Sequence, residues 1–345
     1  MVYSVLNILL PRSLFNHTVE HCNSRKQFGL PLSNFDLVKS QIARMAERLY
    51  CLESMVYMTA GLCDISEYPD VEVESAIVKV YAAETADIIT KTCASLLGSQ
   101  AVLDDSPAMQ HIKQSQFLQN YHGPSNILKS FITASGMIHL AEQSGAELRN
   151  KMSLLRPHKY FSWGTYKLRH QFEQVCDCLY ISSSIHDIFQ APLSHKLSDC
   201  VHPRMMTTAE KLEYIVEKIP FISSTFFLKY NLRMPEEEMV KLADIVIETY
   251  AMTCALSRSN RSYIVGNLHG EHEINLTVPY INDARHKCKQ LSLELLDWEG
   301  EEELRRDDNW VRIGYNIIEE GGYNMAHPLT RIPAQQLNKD NSIGV

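Results

Sequence analysis

Between Ser33 and Ala60 the apolar residues Leu37, Val38, Ile42, Met45, Leu49, Leu52, Met55 and Val56 recur at spacings of three and four. That rhythm lays them along one face of a long helix. Ser33 or Asn34 is the expected cap, with Asp36 in the first turn. A second pattern runs from Val73 to Leu97 through Ala76, Ile77, Val80, Ala83 and Ile89 and stops near Gly98. A third runs from about Ser125 to Leu148, and residues 3–22 supply a fourth. No alternation of period two separates them, so residues 1–148 are predicted to form a four-helix bundle.

Residues 149–170, RNKMSLLRPHKYFSWGTYKLRH, break the rhythm at Pro157 and Gly164 and mix lysines and arginines with Tyr160, Phe161, Trp163 and Tyr166. This basic-aromatic linker is the expected domain boundary. Cations and amphipathic rings suit peripheral contact with a lipid surface. They equally suit a solvated linker whose aromatics dock on the second domain. Helical periodicity returns at 207–219, 235–258 and 278–297, so residues 171–345 read as that second, helical domain. The acidic cluster Glu299–Glu303 reads as a solvated helix end ahead of a last short helix near 308–319.

Composition narrows the function. At 345 residues and 45% hydrophobic, the chain can bury a sizeable core in two domains. A net charge of -8 and a pI near 6.0 leave no basic excess to displace counterions from a phosphate backbone, so no nucleic-acid partner is expected. Nine cysteines, an odd count without paired spacing, point to a reduced compartment. Cys176-x-Cys178 is too tight for the usual zinc-ligand gap, and His269, His272 and Glu273 spell neither zincin order, so no metal site is expected. No apolar run approaches the roughly 20 residues that span a bilayer. The opening residues lack the basic start of a secretory signal, and no Arg-rich transit peptide is recognised.

Residues 24–64, SRKQFGLPLSNFDLVKSQIARMAERLYCLESMVYMTAGLCD, resemble the C-terminal helical domain of flavin-dependent acyl-CoA dehydrogenases. That family's R-x-Q-F-G signature stands here as Arg25, Gln27, Phe28 and Gly29. The resemblance continues through ESAIVKVYAAETAD at 74–87. KLADIVIETYAMTCALSRSNRS, at 241–262, resembles the additional helical domain of the very-long-chain subgroup. The fold implied is all-α: a four-helix-bundle acyl-CoA dehydrogenase C-terminal domain followed by a second helical domain. The resemblance also implies FAD as cofactor, a homodimer, and a mitochondrial protein associated with the inner membrane. One member of the subgroup acts in respiratory complex I assembly, which adds assembly proteins as implied partners. The family's N-terminal helical and middle β domains have no counterpart in these residues.

In the family a carboxylate takes the α-proton of an acyl thioester while the flavin accepts the β-hydride. In the very-long-chain subgroup that carboxylate is the Glu of a Glu-Gly-Thr motif. Within QNYHGPSNILKSF, residues 119–131, the aligned letters are His122, Gly123 and Pro124. Imidazole can act as a base, but it sets the accepting atom differently and becomes a buried cation. Pro124 removes a hydroxyl and a backbone N–H where the family contacts flavin.

Asn126, in place of the usual acidic or amide residue, keeps hydrogen-bonding capacity. Arg25 is implied to meet the flavin dinucleotide across the dimer, where a guanidinium fork matches a phosphate, with Gln27 and Phe28 beside it. The glycine-rich turn Gln-x-x-Gly-Gly reads Ser95, Leu96, Leu97, Gly98, Ser99, which keeps one glycine. The family's Arg-Asp pair reads Lys113 and Gln114. These losses imply an eroded active site that holds FAD weakly or not at all, on a scaffold that works through protein contacts. The alternative is the C-terminal part of a functional FAD-dependent long-chain dehydrogenase of fatty acid β-oxidation.

Overall fold

The computed structural model describes residues 2–65, 67–103, 105–151, 196–230, 235–296 and 306–323. It is all-α apart from one minimal hairpin. In chain order the helices are α1 (Val2–Ser24), α2 (Asp36–Ile65), α3 (Glu72–Leu97), α4 (Pro107–Asn120), α5 (Ser125–Lys151), α6 (Met206–Tyr230), α7 (Glu236–Val265), α8 (Gly270–Leu296) and α9 (Arg306–Glu319). Strands β1 (Lys26–Gln27) and β2 (Leu30–Pro31) pair antiparallel between α1 and α2.

α3 and α7 are the central helices. α3 touches α1, α2, α4, α5 and α7, and α7 touches α2, α3, α5, α6 and α8. Their sequences explain this: Ala82 and Ala83 on α3, and Ala243, Ala251 and Ala255 on α7, are completely buried. Small side chains let neighbouring helices approach from several sides.

The helices before residue 151 and those from 206 to 296 share one compact unit and one core. Polar contacts stitch them together. Tyr81 (α3) donates to Tyr280 (α8) at 3.0 Å, and Tyr280 donates to the Glu248 carboxylate (α7) at 2.8 Å. Lys287 (α8) reaches the other oxygen of Glu248 at 2.7 Å. Lys129 (α5) bridges Glu84 (α3) at 2.7 Å and Asp244 (α7) at 2.8 Å. Burial alone would depress the Lys129 amine, but its bonds to Asp244 and Glu84 more than offset this and hold its pKa above the ordinary lysine value. A second unit, 297–345, contains α9.

Four details differ from the sequence pattern. α4 joins the four helices read from residues 1–148; it is mostly polar, burying only Ala108, Ser115 and Leu118, so it shows almost no apolar rhythm. Its start is nonetheless spelled out: Ser106 accepts from the Ala108 N–H at 3.3 Å, with Pro107 in the first helical position. Ser33 and Asn34 do not cap α2. They lie in a 3-10 turn, and the first α-helical bond runs from the Lys39 N–H to the Phe35 carbonyl. Finally, α6 continues through Pro220 to Tyr230, past the range 207–219 read from periodicity, and α8 begins at Gly270, ahead of the range 278–297.

Candidate functional site

The residues singled out from sequence occupy three places. Arg25 directly precedes the β1–β2 hairpin, Gln27 lies on β1, and Phe28 and Gly29 form its turn. Arg25, Gln27 and Phe28 are all exposed. The pairs Lys26–Pro31 and Gln27–Leu30 leave a two-residue loop with φ of +51° at Phe28 and +81° at Gly29. Positive φ at both central residues matches the strand twist but is unfavourable for an aromatic side chain. Phe28 is 93% exposed, with one edge-to-face approach to Phe35 at 6.4 Å. The hairpin base is tied by the Leu32 N–H donating to the Arg25 carbonyl at 2.9 Å. Beside it, burial and then the Arg25 charge and His17 hold His21 below the ordinary histidine pKa.

Gly98 ends α3, as the pattern predicts, with φ +64° and ψ −138° and its N–H bonded to the Ala94 carbonyl. That backbone conformation is essentially restricted to glycine. A Cβ placed there would meet nothing within 4 Å, so the space above this turn is open.

His122 lies in the turn between α4 and α5, and Asn126 on the first turn of α5. Both are exposed. His122 has φ +60° and Gly123 +105°. The His122 ring meets Tyr121 edge-on at 4.5 Å, and Tyr121 lies 5.1 Å from Phe117.

Sequence reading missed the residue that supports this turn. The Lys79 amine, reaching from α3, donates to the carbonyls of Gln119 at 2.9 Å and Gly123 at 2.6 Å. A cation on terminal carbonyls complements the negative end of α4. Partial burial lowers the Lys79 pKa below the ordinary lysine value. On α4, Gln114 pairs with the His111 ring at 3.3 Å, so no Arg-Asp ion pair stands there.

These places fit the expected flavin unequally. The exposed Arg25 hairpin and the open Gly98 turn suit the phosphates and close backbone approach of a dinucleotide. The α4–α5 turn offers less to its redox end, because Pro124 has neither hydroxyl nor N–H and the His122 backbone is held at φ +60°.

Among the described residues no three His, Cys, Asp or Glu side chains gather as a metal site. Glu273, of the H-x-x-H-E run, accepts instead from the Tyr50 hydroxyl at 2.9 Å. No described helix is long and apolar enough to cross a membrane. The linker 149–170 lies outside the described residues beyond Lys151.

Residues 2–137 match the family model "Acyl-CoA dehydrogenase, C-terminal domain", and residues 203–323 match "ACAD9/ACADV, C-terminal domain". The very long-chain specific acyl-CoA dehydrogenase, mitochondrial, of Homo sapiens is 25% identical over 320 residues, covering 92% of this chain and 46% of that protein. The chain thus spans about half the length of the curated relatives it matches. Benzylmalonyl-CoA dehydrogenase of Aromatoleum aromaticum is 32% identical over 114 residues, which are 33% of this chain and 30% of that protein. Among solved structures, an acyl-CoA dehydrogenase complexed with FAD from Bacillus anthracis has a TM-score of 0.63 at 16% identity, over 98% of this chain and 55% of that one. Caenorhabditis elegans ACDH-11 in complex with C11-CoA has a TM-score of 0.57 at 13% identity, over 94% and 46%. At those identities the likeness speaks for the fold alone, while the two family models assign the sequence. The chain belongs to the acyl-CoA dehydrogenase family and carries, in order, the two C-terminal helical domains of its very-long-chain branch.

Proposed function

We propose that this chain is an acyl-CoA dehydrogenase-like scaffold with an eroded active site that acts through protein contacts. The setting proposed, from the resemblance to the very-long-chain branch, is the mitochondrial inner membrane and respiratory complex I assembly, with the chain as a homodimer. The observation that carries the reading is His122: an exposed imidazole in a positive-φ turn, where the branch uses a carboxylate. A carboxylate can take the α-proton of a thioester and be left neutral, whereas imidazole is left as a cation.

A second reading is favoured by the hairpin. Arg25, Gln27 and Phe28 stand out from the body at a strained turn, the placement a flavin dinucleotide would use. On that reading the chain is the C-terminal part of a functional FAD-dependent long-chain acyl-CoA dehydrogenase of fatty acid β-oxidation. FAD, when bound, supplies a hydride acceptor. The residues here would only hold and orient it, Arg25 at a phosphate, Gly98 by close backbone approach and Asn126 by a hydrogen bond.

The visible spectrum of the purified chain with added FAD, before and after a long-chain acyl-CoA, separates the two. The first reading expects no retained flavin band, and no turnover from His122→Glu. A flavin band that bleaches with substrate would overturn it and establish the second.

A further inference from the structure

Where α6 packs on α8, the side chains of Lys211, Lys218 and Arg285 gather around Tyr214. Lys211, Tyr214 and Lys218 recur at three and four along α6, and Asn282 and Arg285 are three apart on α8, so each set shares one helix face. The Lys211 amine donates to the Asn282 side-chain oxygen at 2.6 Å. One turn further on, the Lys218 amine donates to the Tyr214 hydroxyl and lies 4.2 Å from the centre of its ring. The Arg285 guanidinium lies 5.6 Å from the same centre. Lys211, Tyr214, Lys218 and Arg285 are all half-buried, neither sealed in the core nor fully solvated.

Two observations leave this cluster short of an anion. The Arg285 Nε–H is buried with no acceptor among the described residues, and an unmade bond of that kind costs more than an ordinary one contributes. Like charges are also drawn together here without a carboxylate among them, although the chain has 41 Asp and Glu against 33 Lys and Arg. The acids nearby are directed elsewhere. Glu213 accepts the Ser198 N–H at 2.7 Å. Asp283 projects nearly opposite Arg285 on α8, and after burial its charge helps hold the Glu47 carboxyl of α2 above the ordinary pKa. Neither Glu210 nor Glu217, beside the lysines on α6, forms an ion pair with any of the three cations. The face of the Tyr214 ring attracts Lys218 and Arg285, but more weakly than an anion would.

We propose that the α6–α8 seam binds a phosphate-bearing anion, a phosphate monoester or a pyrophosphate, between the Arg285 guanidinium and the amines of Lys211 and Lys218. Three positive charges suit a group with two or more negative charges, whereas a single carboxylate would leave a surplus. The assignment rests on these side chains and holds whether or not the chain oxidises acyl-CoA.

Isothermal titration of the full chain with inorganic pyrophosphate, paired with sedimentation on vesicles of phosphatidic acid or phosphatidylcholine, tests this. Saturable pyrophosphate binding is expected. Arg285→Gln should weaken it about tenfold or more, as loss of a hydrogen bond to a charged group does. Lys218→Gln should do the same and carries the test should Arg285→Gln fold poorly. Lys91→Gln, which removes a cation paired with Asp87 on α3, should leave binding unchanged. Sedimentation with phosphatidic acid but not phosphatidylcholine, lost in Arg285→Gln, would assign the phosphate to a lipid headgroup; pyrophosphate binding without sedimentation would assign it to a soluble molecule. Binding to neither, equal weakening by Lys91→Gln, or unchanged binding in both seam variants overturns the proposal.

Discussion

Phe28 holds an aromatic side chain in a left-handed conformation, which costs an L-residue about 1–2 kcal/mol. Within the chain it gains little in return, since it is 93% exposed and its contact with Phe35 is one ring edge at 6.4 Å. A backbone cost without matching burial marks a residue set for something it meets outside the chain. Phe28→Asn places ahead of Gly29 the residue type that such two-residue turns favour. We expect it to raise stability by about 1 kcal/mol in urea unfolding, and to lower any flavin retention seen in the spectrum. His122 differs, because histidine enters the left-handed region more readily than most side chains. Its φ of +60° is therefore a weaker signal.

At the level of elements, Lys79 joins α3 to the α4–α5 turn by two charge-assisted bonds. Lys79→Met would leave the Gln119 and Gly123 carbonyls without this donor, at a cost of about 1.5–3 kcal/mol. Amide exchange across 120–128 should quicken while exchange in α7 does not. Lys129→Met is predicted to act more widely, because it leaves Glu84 and Asp244 facing each other without their cation. A fully buried pair broken this way costs roughly 3–5 kcal/mol; with Glu84 37% exposed, about 2–3 kcal/mol is expected.

Neither role was visible in the letters alone. A lysine on an apolar helix face acquires meaning only from partners 40 or more residues away. The long periodic helices α2, α3 and α7 could be read because burial of one face imposes its spacing on the sequence. α4 could not, since a polar helix leaves only its Ser-Pro start as a trace. Of the candidate site, Arg25 to Gly29, Gly98 and the 122–126 turn were recognisable through resemblance, whereas their backbone strain required the structure.

Across the molecule, residues 2–137 and 203–323 match separate family models, yet their helices to Leu296 share one core and the polar ladder at Glu248. We predict one cooperative thermal transition, with circular dichroism and tyrosine fluorescence giving coincident curves; separated midpoints would show that the halves unfold independently.

The alanines of α3 and α7 carry a last consequence, for mutational drift. Adding even a methylene or two at Ala82 or Ala251 forces neighbouring helices apart, at a cost of about 1–3 kcal/mol. Arg25, Gln27 and Asn126 are exposed, and new letters at those positions cost the fold little. Chemistry and architecture can therefore change at different speeds in one polypeptide, with the reactive letters free to be rewritten while the frame that presents them stays constrained.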